Sequence, residues 1–473
     1  MIRVCKILCL GILLILASEI HAQEQLIIVD DRLVVAGFEV SGNSVTKEKI
    51  ITREIIVQEG DTLSKMELIP ALQRSKENIL NTALFNFVYL DVEHLPGNRI
   101  IIEITVTERW YIWPVPIIEY AERNFNEFIK NREWDKMVYG AWLKWNNFRG
   151  RKELLTGKVR LGYINEYALS YKVPNLGKKQ QHGIAAGFNL AHQNEVNVST
   201  ENNSPVELKP ADRPAEIYAN AFARYVFRRK HYSTHTLRMD YKDYSISDTV
   251  ALVNPNYLGG GRKNTNFFTL VYEFRYDLRD SKVYPLEGFF VKLTATQTGL
   301  GIIPSFPYSF ANATGVLMYH QKLANRLYFY NTYKGKFTSE KRLPHILNQG
   351  LGYNEWLSAY EPYVMDGSDY IIAKYNLKLQ LIRPTTKTIP YLKMEQFNKV
   401  HYAVYLNVFG DAGYVNNEFP NPTNTMVNTL QFSGGIGIDL VTYYDQVFRI
   451  DYAINRIGER AFFFHIETPF SRW

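Results

Sequence analysis

Residues that could carry out catalysis are dispersed along this 473-residue sequence and do not gather in a recognisable motif. The chain has no G-x-S-x-G nucleophile turn, no H-E-x-x-H zinc motif and no phosphate-binding G-x-x-x-x-G-K-[ST] loop. Its ten histidines include no two at metal-ligand spacing with a third nearby. A lipase or protease would need a serine, a histidine and an acid acting together. We therefore predict that the protein is not an enzyme and has no catalytic, cofactor-binding or metal-binding residues.

Two short segments nevertheless combine acidic side chains with glycine. Residues 277–288 read DLRDSKVYPLEG, and residues 409–413 read FGDAG. The acids and the arginine of the first segment could form an ordinary solvated charge cluster at a hairpin. The glycines that end both segments could mark bends in curved strands. Both interpretations require a large sheet to position the side chains.

The first 22 residues predict export from the cytoplasm. Arg3 and Lys6 precede a short apolar stretch, and residues 20–22 (IHA) offer a cleavage site before Gln23. A membrane anchor is the alternative, but about 11 apolar residues are too few to cross a bilayer of ~30 Å. Cys5 and Cys9 lie too early for a lipoprotein signal and are the only cysteines. The mature chain would begin with a short segment, 23–32, and would contain no disulfide.

Composition favours a membrane protein that crosses with strands. Aromatic residues make up 14% of the chain, with 33 Tyr and 27 Phe, although the mean hydropathy is only −0.22. After residue 22 the sequence has no run of ~18 apolar residues, which excludes transmembrane helices. The formal net charge of +7 and the pI near 9.0 could suggest nucleic acid. The basic residues are spread along alternating segments, however, which fits loops and a barrel lumen better.

Residues 33–109 predict a small α+β domain with the order β-α-α-β-β. A strand over 33–40 ends at a Ser-Gly-Asn turn, and Thr46 could cap a short helix running to about Ile55. After a break at Gly60, Ser64 and Glu67 have the spacing of a capping box that opens a longer helix. Strands over 85–93 and 99–107 would then flank a Pro-Gly-Asn turn.

Residues 110–473 predict a closed all-β transmembrane barrel. Segments 217–227, 401–408 and 448–455 alternate apolar and polar residues with a period of two. At roughly 20–25 residues for each strand and connection, 14–18 strands fit, and we expect about 16 because bacterial barrels have even numbers. A soluble array of β-sandwiches is the alternative, although domain linkers and cysteine would then be expected.

The small domain resembles a POTRA domain of the BamA/TamA superfamily, also called the bacterial surface antigen family. The resemblance lies in the following features: the turn at Gly42 and Asn43, the helix-opening Thr46, the Arg53-Glu54 pair, the Gly60-Asp61 break, and residues 81–88 (NTALFNFV), which are similar to the family's T-G-x-F-x-x-V.

Four barrel segments resemble the same family. They are residues 146–153 (NNFRGRKE) with Gly150; residues 171–176 (YKVPNL); the hairpin with Asp277, Arg279, Asp280, Pro285 and Gly288; and the F-x-D-x-G strand with Phe409, Asp411 and Gly413. The resemblance implies an assembly or translocation barrel in the outer membrane of a Gram-negative bacterium, with the POTRA domain in the periplasm.

One departure concerns a loop that, in this superfamily, folds into the lumen and presents an R-G-[FY] tip to the aspartate of F-x-D-x-G. Residues 357–367, with Tyr360, Asp366 and Gly367, align best with that loop. Ser358 stands where the resemblance implies Arg, and Ala359 where it implies Gly. Asp411 then needs another cation, for which Arg275 and Lys374 are candidates, or water. The loop is either held by Tyr360 or loose.

Residues 461–470 predict the last strand. Phe470 and Trp473 resemble the terminal signal by which outer-membrane barrels are recognised for insertion. An interfacial aromatic anchor is the alternative.

Two functions remain open on the sequence. The first is insertion or translocation of unfolded or partly folded client polypeptides, received by the POTRA domain and passed to a lateral seam. There Pro114 and Pro116 would remove ladder donors from the first strand. The second is a transport pore or structural barrel with the same fold but no insertase role. Expected partners are outer-membrane lipids, lipopolysaccharide and accessory periplasmic or lipoprotein subunits, but not nucleic acid. One POTRA domain suggests an accessory or specialised member.

Overall fold

The protein is described by a computed structural model that covers residues 32–120, 134–211, 214–391, 394–442, 444 and 446–467. These residues form twenty-two β-strands and four α-helices. None of the helices in these ranges is long and apolar enough to cross a membrane. The predicted signal peptide, segment 23–31, Phe470 and Trp473 lie outside the described residues.

The N-terminal domain is a four-stranded sheet covered by two helices. Its elements are β1 (Leu33–Ser41), α1 (Glu48–Thr52), β2 (Thr62–Leu63), α2 (Lys65–Leu80), β3 (Phe85–Leu95) and β4 (Arg99–Glu108). The sheet order is β2-β1-β4-β3, with β1 parallel to β4 and the other pairs antiparallel. The predicted β-α-α-β-β order is confirmed, with one two-residue strand added between the helices.

Alternation on β4 builds the core of this domain. Ile100, Ile102 and Ile104 are at most 1% exposed, and each such side chain stabilises the fold by roughly 1.5–3 kcal/mol. The predicted capping box is confirmed: the hydroxyl of Ser64 accepts from the N–H of Glu67, and the Glu67 carboxylate accepts from the N–H of Ser64. The prediction that Thr46 caps α1 is wrong, because Lys47 is the N-cap and no side chain caps this helix.

The rest of the chain forms a 16-stranded antiparallel barrel sheet, as predicted. Its strands are β5 (Ile112–Tyr120), β6 (Met137–Phe148), β7 (Glu153–Gly162), β8 (Ile164–Leu176), β9 (His182–Gln193), β12 (Glu216–Arg229), β13 (Ser233–Ile246), β14 (Asn264–Asp277), β15 (Gly288–Thr298), β16 (Phe310–Ala324), β17 (Leu327–Thr338), β18 (Asp369–Thr388), β19 (Lys399–Asn416), β20 (Gln431–Thr442), β21 (Gln446–Asn455) and β22 (Arg460–Glu467). Each pairs with its neighbours along the chain, except that β9 pairs with β12.

Strands β10 (Val196–Glu201) and β11 (Ser204–Leu208) form a separate hairpin between β9 and β12. It lies at the end of the barrel away from the small domain, which we call the far end. Helices α3 (Asp248–Val253) and α4 (Glu395–Asn398) lie in connections at opposite ends. At the far end the N–H of Val364 donates to the carbonyl of Asn203, and Asn203 also receives the N–H of Met426 at its side chain.

Period-two alternation places apolar side chains on the outside of the barrel. On β12, Ile217 and Tyr225 are 36% and 44% exposed, whereas the intervening Arg224 faces the lumen cavity. This is the pattern that a lipid-facing wall around a polar interior requires.

The first and last barrel strands are the two ends of the sheet. Over the described part of these strands, β5 pairs only with β6, and β22 pairs only with β21. Pro114 and Pro116 both lie in β5, opposite Leu143 and Ala141 of β6. Proline is tolerated in a paired strand when its nitrogen faces away from the partner. Both positions therefore lack a donor on the side of β5 that faces away from β6.

Candidate functional site

The connection between β17 and β18 folds against the barrel wall at the predicted loop tip. The backbone N–H and the hydroxyl of Ser358 donate to the carboxylate of Asp411, at 3.0 and 2.8 Å. The Nζ atom of Lys374 lies 3.0 Å from the same carboxylate, whose side chain is only 3% exposed. Of the two cations considered for Asp411, Lys374 is therefore confirmed. The prediction that Arg275 pairs with Asp411 is wrong, because Arg275 pairs with Glu273 at 2.9 Å.

Tyr360 holds the same loop, which is one of the two alternatives that the sequence left open. Its side chain is 1% exposed. The hydroxyl lies 3.1 Å from the side chain of Gln431 and 3.2 Å from the carbonyl of Phe432, and it accepts from the N–H of Arg456 at 3.2 Å. These contacts join the loop to β20 and to the turn after β21, so the loop is held and not loose.

The glycine of the F-x-D-x-G segment makes room for this loop. A Cβ atom on Gly413 would lie 2.9 Å from Cδ1 of Leu357, a fully buried loop residue. Gly367 is equally confined, because a Cβ there would meet Val415 at 2.4 Å. Both glycines are therefore required by close packing of the loop on β19. For Gly413 this is a more specific reason than the strand bend that the sequence allows.

The remaining loop motif residues also have defined contacts. The hydroxyl of Tyr353 donates to the carboxylate of Asp366, and the carbonyl of Asp366 accepts from Asn417 at 3.0 Å. The ring of Phe409 lies against β20, where a Cβ on Gly435 would come within 2.7 Å of it. Asp411 and Gly413 of β19 thus form one packed unit with the loop inside the barrel.

The charged hairpin at 277–288 is an ordered structure and not a solvated cluster. Arg279 donates two hydrogen bonds to Asp277, at 2.8 and 2.9 Å, and its guanidinium lies 4.4 Å from the ring centre of Phe290. Asp280 accepts from the N–H groups of Ser281 and of Leu286, the residue after Pro285. Gly288 has φ +102°, and a Cβ there would lie 2.3 Å from the carbonyl oxygen of Leu278.

This hairpin contacts the end of α2 in the small domain. The side chain of Asn81 donates to the carbonyl of Asp280 and accepts from the N–H of Lys282, both at 3.0 Å. Nearby, Arg74 lies 4.9 Å from the ring centre of Tyr232, in the turn after β12, and donates to its hydroxyl at 3.2 Å. The hairpin motif therefore fastens the small domain to the barrel.

A second motif meets the beginning of α1. The side chain of Asn147 donates to the hydroxyl of Thr46 at 2.8 Å, and the N–H of Lys47 donates to the carbonyl of Gly150 at 2.8 Å. Gly150 has φ +71°, and a Cβ there would lie 2.1 Å from the carbonyl oxygen of Val45. Thr46 thus serves the junction between domains and not the start of a helix.

The turn at Gly42 and Asn43 supports that contact from within the small domain. Gly42 has φ +82°, and a Cβ there would lie 2.0 Å from the carbonyl oxygen of Val106 on β4. The side chain of Asn43 donates to the carbonyl of Thr46 at 3.0 Å.

A charged contact between the domains joins Glu54 to Arg228, which lies at the end of β12 nearest the small domain. Two guanidinium nitrogens of Arg228 lie 2.6 Å from the two carboxylate oxygens of Glu54, whose side chain is 2% exposed. Burial raises the pKa of Glu54, but the hydrogen bonds and charge of Arg228, with Lys152 and Arg53 nearby, outweigh it and lower the pKa to about 2. The pair is bidentate and remains charged at neutral pH.

Sequence reasoning found Glu54 but missed its partner. Arg228 and Arg229 form a basic pair at the end of an alternating segment, which is a weak signal of a contact beyond the strand. Arg74 gave no signal, since it lies on a helix whose other residues explain it, and Asn81 entered only as the first residue of the family-like segment 81–88. As functional residues, the family-motif positions stay predictions.

A cavity of about 1700 Å³ lies between the small domain and the barrel wall. Glu54, Arg74 and Asn81 line it from the small domain, while β5 to β9 and β12 to β15 supply the wall. We call this cavity the chamber. Over the ranges that the structure describes, His, Cys, Asp and Glu form no group that could hold a metal ion.

Two segments of the chain match known protein families. Residues 147–371 match the Omp85 superfamily domain, and residues 33–109 match the surface antigen variable number repeat, the POTRA domain. A 70-residue segment, 15% of this chain, is 33% identical to the outer membrane protein assembly factor BamA of Neorickettsia risticii (strain Illinois). It spans 9% of the length of that protein.

Two solved structures share the fold over nearly all of the chain. BamA from Haemophilus ducreyi, in a form lacking POTRA domains 1–3, is 15% identical with a TM-score of 0.50, over 91% of this chain and 84% of that one. CdiB from Escherichia coli is 10% identical with a TM-score of 0.52, over 92% and 75%.

The fold and the matched segments together define an outer-membrane β-barrel with a POTRA domain. The chain combines an Omp85 superfamily domain with one matched POTRA domain, the arrangement of a BamA/TamA-type Omp85 protein, and this similarity indicates the outer membrane of a Gram-negative bacterium.

Proposed function

We propose that this barrel assists the insertion or translocation of polypeptides at the outer membrane, through its POTRA domain and a seam between β5 and β22. The observation that carries the proposal is the edge character of β5. Pro114 and Pro116 leave two positions on its seam side without a donor, and the strand pairs only with β6 over the described residues. A seam with few hydrogen bonds costs little to open, so that a client strand could add to it.

The POTRA domain supplies a first contact for such a client. Strand β3 is the outer strand of its sheet, with β4 on one side only in the described part of the chain. An extended client could pair with this edge through main-chain hydrogen bonds, which tolerate many sequences. In this proposal the domain lies in the periplasm, and the contacts of Glu54 and Asn81 hold it at the barrel mouth.

The motif residues have structural roles in this proposal. Gly150, Asp280 and Asn43 secure the POTRA domain. Asp411, Gly413 and Tyr360 secure residues 357–367, which we call the lumen loop. Both anchors would give client strands a fixed frame next to a movable seam. Partners would be unfolded or partly folded polypeptides, the surrounding lipid and lipopolysaccharide, and accessory periplasmic or lipoprotein subunits.

Disulfide locking of the seam tests the proposal. Val115→Cys on β5 would be combined in turn with Ala461→Cys, Phe463→Cys and His465→Cys on β22, in a chain whose only cysteines lie in the predicted signal peptide. The combination that oxidises should stop assembly of a urea-unfolded barrel client in proteoliposomes, and a reductant should restore it. Ala295→Cys with Ala313→Cys is the control, because these residues lie directly opposite each other on β15 and β16.

The control lock should leave client assembly unchanged. If the oxidised seam variant retains full activity, lateral opening is wrong, and the non-insertase pore or structural barrel becomes the better account.

A further inference from the structure

The chamber concentrates the positive charge of the protein. Thirteen Lys and Arg residues line it against six Asp and Glu residues. This excess of seven is as large as the formal net charge of the whole chain, +7. The basic character that the sequence spreads over many segments is therefore gathered by the fold into one enclosed space.

The acids of the chamber are already compensated. All six take part in ion pairs with cations of the same lining: Glu54–Arg228 at 2.6 Å, Glu119–Arg160 at 2.5 Å, Glu166–Lys158 at 2.6 Å, Asp240–Arg238 at 2.5 Å, Glu273–Arg275 at 2.9 Å and Asp277–Arg279 at 2.8 Å. The acids therefore leave a substantial cationic surplus.

Lys172, Arg224, Lys242 and Lys292 belong to this surplus. They form no ion pair with any acid among the residues that the structure describes. The Nε atom of Arg224 is moreover buried without a hydrogen-bond partner in the structure. A buried donor left unsatisfied costs roughly 1–3 kcal/mol.

Cations of the chamber lining lie in facing pairs, and each pair holds one member of the surplus. Arg224 on β12 lies directly opposite Arg238 on β13, and Arg275 on β14 lies directly opposite Lys292 on β15. Neighbouring strands are about 4.8 Å apart, and like charges placed opposite each other destabilise a sheet. Lys172 joins the first pair at the same depth, because Ala185 of β9 lies opposite both Lys172 and Arg224.

We propose that the chamber binds a phosphate-bearing anion beside Lys172 and Arg224. A phosphate monoester carries about −1.5 to −2 charges on one small group, so it can satisfy two neighbouring cations at once. Its oxygens also suit the planar fork of an arginine together with the point charge of a lysine. An acidic polypeptide spaces single charges along a chain, and it matches closely paired cations less well. This binding does not depend on the insertase role.

The phosphate could come from a lipid headgroup or from a soluble phosphorylated molecule. The chamber is bordered by residues 113–119 of β5, the strand at the proposed seam. A headgroup entering beside β5 would therefore reach the cations, whereas a soluble phosphate would need an aqueous route into the chamber. The shared chemistry is the phosphate group, and the experiment separates the two sources.

Calorimetric titration of the full chain in neutral detergent with inorganic pyrophosphate is the first arm. Native mass spectrometry after release from nanodiscs of phosphatidylcholine with phosphatidic acid is the second. The test variant is Lys172→Gln with Arg224→Gln. The control is Lys322→Gln with Arg383→Gln, which removes the same charge from exposed residues absent from the chamber lining.

We expect wild type and control to bind pyrophosphate, phosphatidic acid or both, and the test variant to bind roughly tenfold more weakly for each lost cation. Retention of phosphatidic acid assigns a lipid source, and pyrophosphate binding without it assigns a soluble one. Arg224→Gln alone replaces the double variant if that variant fails to form a barrel. Absence of binding to wild type, an equal loss in the control, or tighter binding of an oligoglutamate peptide would overturn the proposal.

Discussion

Ser358 and Asp411 are joined by two hydrogen bonds, one from the backbone N–H at 3.0 Å and one from the hydroxyl at 2.8 Å. Lys374 supplies the positive charge at 3.0 Å from the same carboxylate. Together a serine and a lysine from different elements occupy the role that the family resemblance assigns to one loop arginine. The lumen loop is therefore anchored at this point without an arginine from the loop itself.

Replacing Ser358 with Ala should loosen this loop without unfolding the barrel. The hydroxyl bond to a charged acceptor contributes roughly 1.5 kcal/mol, at the low end for such bonds because Lys374 remains. Hydrogen exchange over residues 351–367 should become about tenfold faster, while exchange in β12 stays the same. Unchanged loop protection would mean that Tyr360 alone holds the loop.

Gly413→Ala should destabilise the packing of the loop on β19. The new methyl group would lie 2.9 Å from Cδ1 of Leu357, and overpacking of this kind costs roughly 1–3 kcal/mol. Gly410→Ala is a matched control in the same motif, because its nearest neighbour would be 3.8 Å away. Urea unfolding in detergent compares the two, and equal midpoints for both variants would contradict this assignment.

The Glu54–Arg228 pair predicts acid sensitivity of the junction between the domains. The pKa of Glu54 is lowered from its ordinary 4.5 to about 2, so its contribution is complete above pH 4.5 and is lost as the pH falls toward 2. Protection of residues 45–54 from hydrogen exchange should decline over that window. The corresponding decline should be absent in Glu54→Gln.

Glu54→Gln should also weaken the junction at neutral pH. It leaves Arg228 partly buried without its carboxylate, at a cost of roughly 3 kcal/mol, the low end for a broken buried pair because Arg228 is 21% exposed. Glu48→Gln removes the same charge from an exposed position on α1 and should have no effect. Equal behaviour of the two variants at pH 7 would show that the pair does not hold the domain.

Gly150→Ala should disrupt the same junction between the domains, because the added methyl group on the barrel would collide with the POTRA domain. Its Cβ would lie 2.1 Å from the carbonyl oxygen of Val45, so the turn or the POTRA domain must move. Gly157→Ala, whose Cβ would meet its nearest atom at 4.0 Å, is the control. Faster exchange at residues 45–47 in the first variant alone is expected, and normal exchange there would place the contact elsewhere.

The sequence predicted those features that depend on local patterns. Alternation along 217–227 predicted a barrel wall, and the spacing of Ser64 and Glu67 predicted the start of α2. Apart from the Lys374–Asp411 pair, contacts between distant parts of the chain were not predictable, because no periodicity encodes them. Glu54 and Arg228 are 174 positions apart. Thr46 is a residue type that commonly caps helices, but here its hydroxyl accepts a hydrogen bond from Asn147. Only the family pattern drew attention to Ser358.

Site-specific photo-crosslinking during client assembly tests the central claim most directly. A photoreactive residue would replace Ile118 on β5 or Phe464 on β22, which are 76% and 61% exposed, with Leu293 on β15, 53% exposed, as control. In proteoliposomes given a urea-unfolded barrel client, adducts with the client should form at Ile118 and Phe464 and not at Leu293. Client adducts that are absent from both seam positions, or equally abundant at Leu293, would contradict a role for this seam in handling polypeptides.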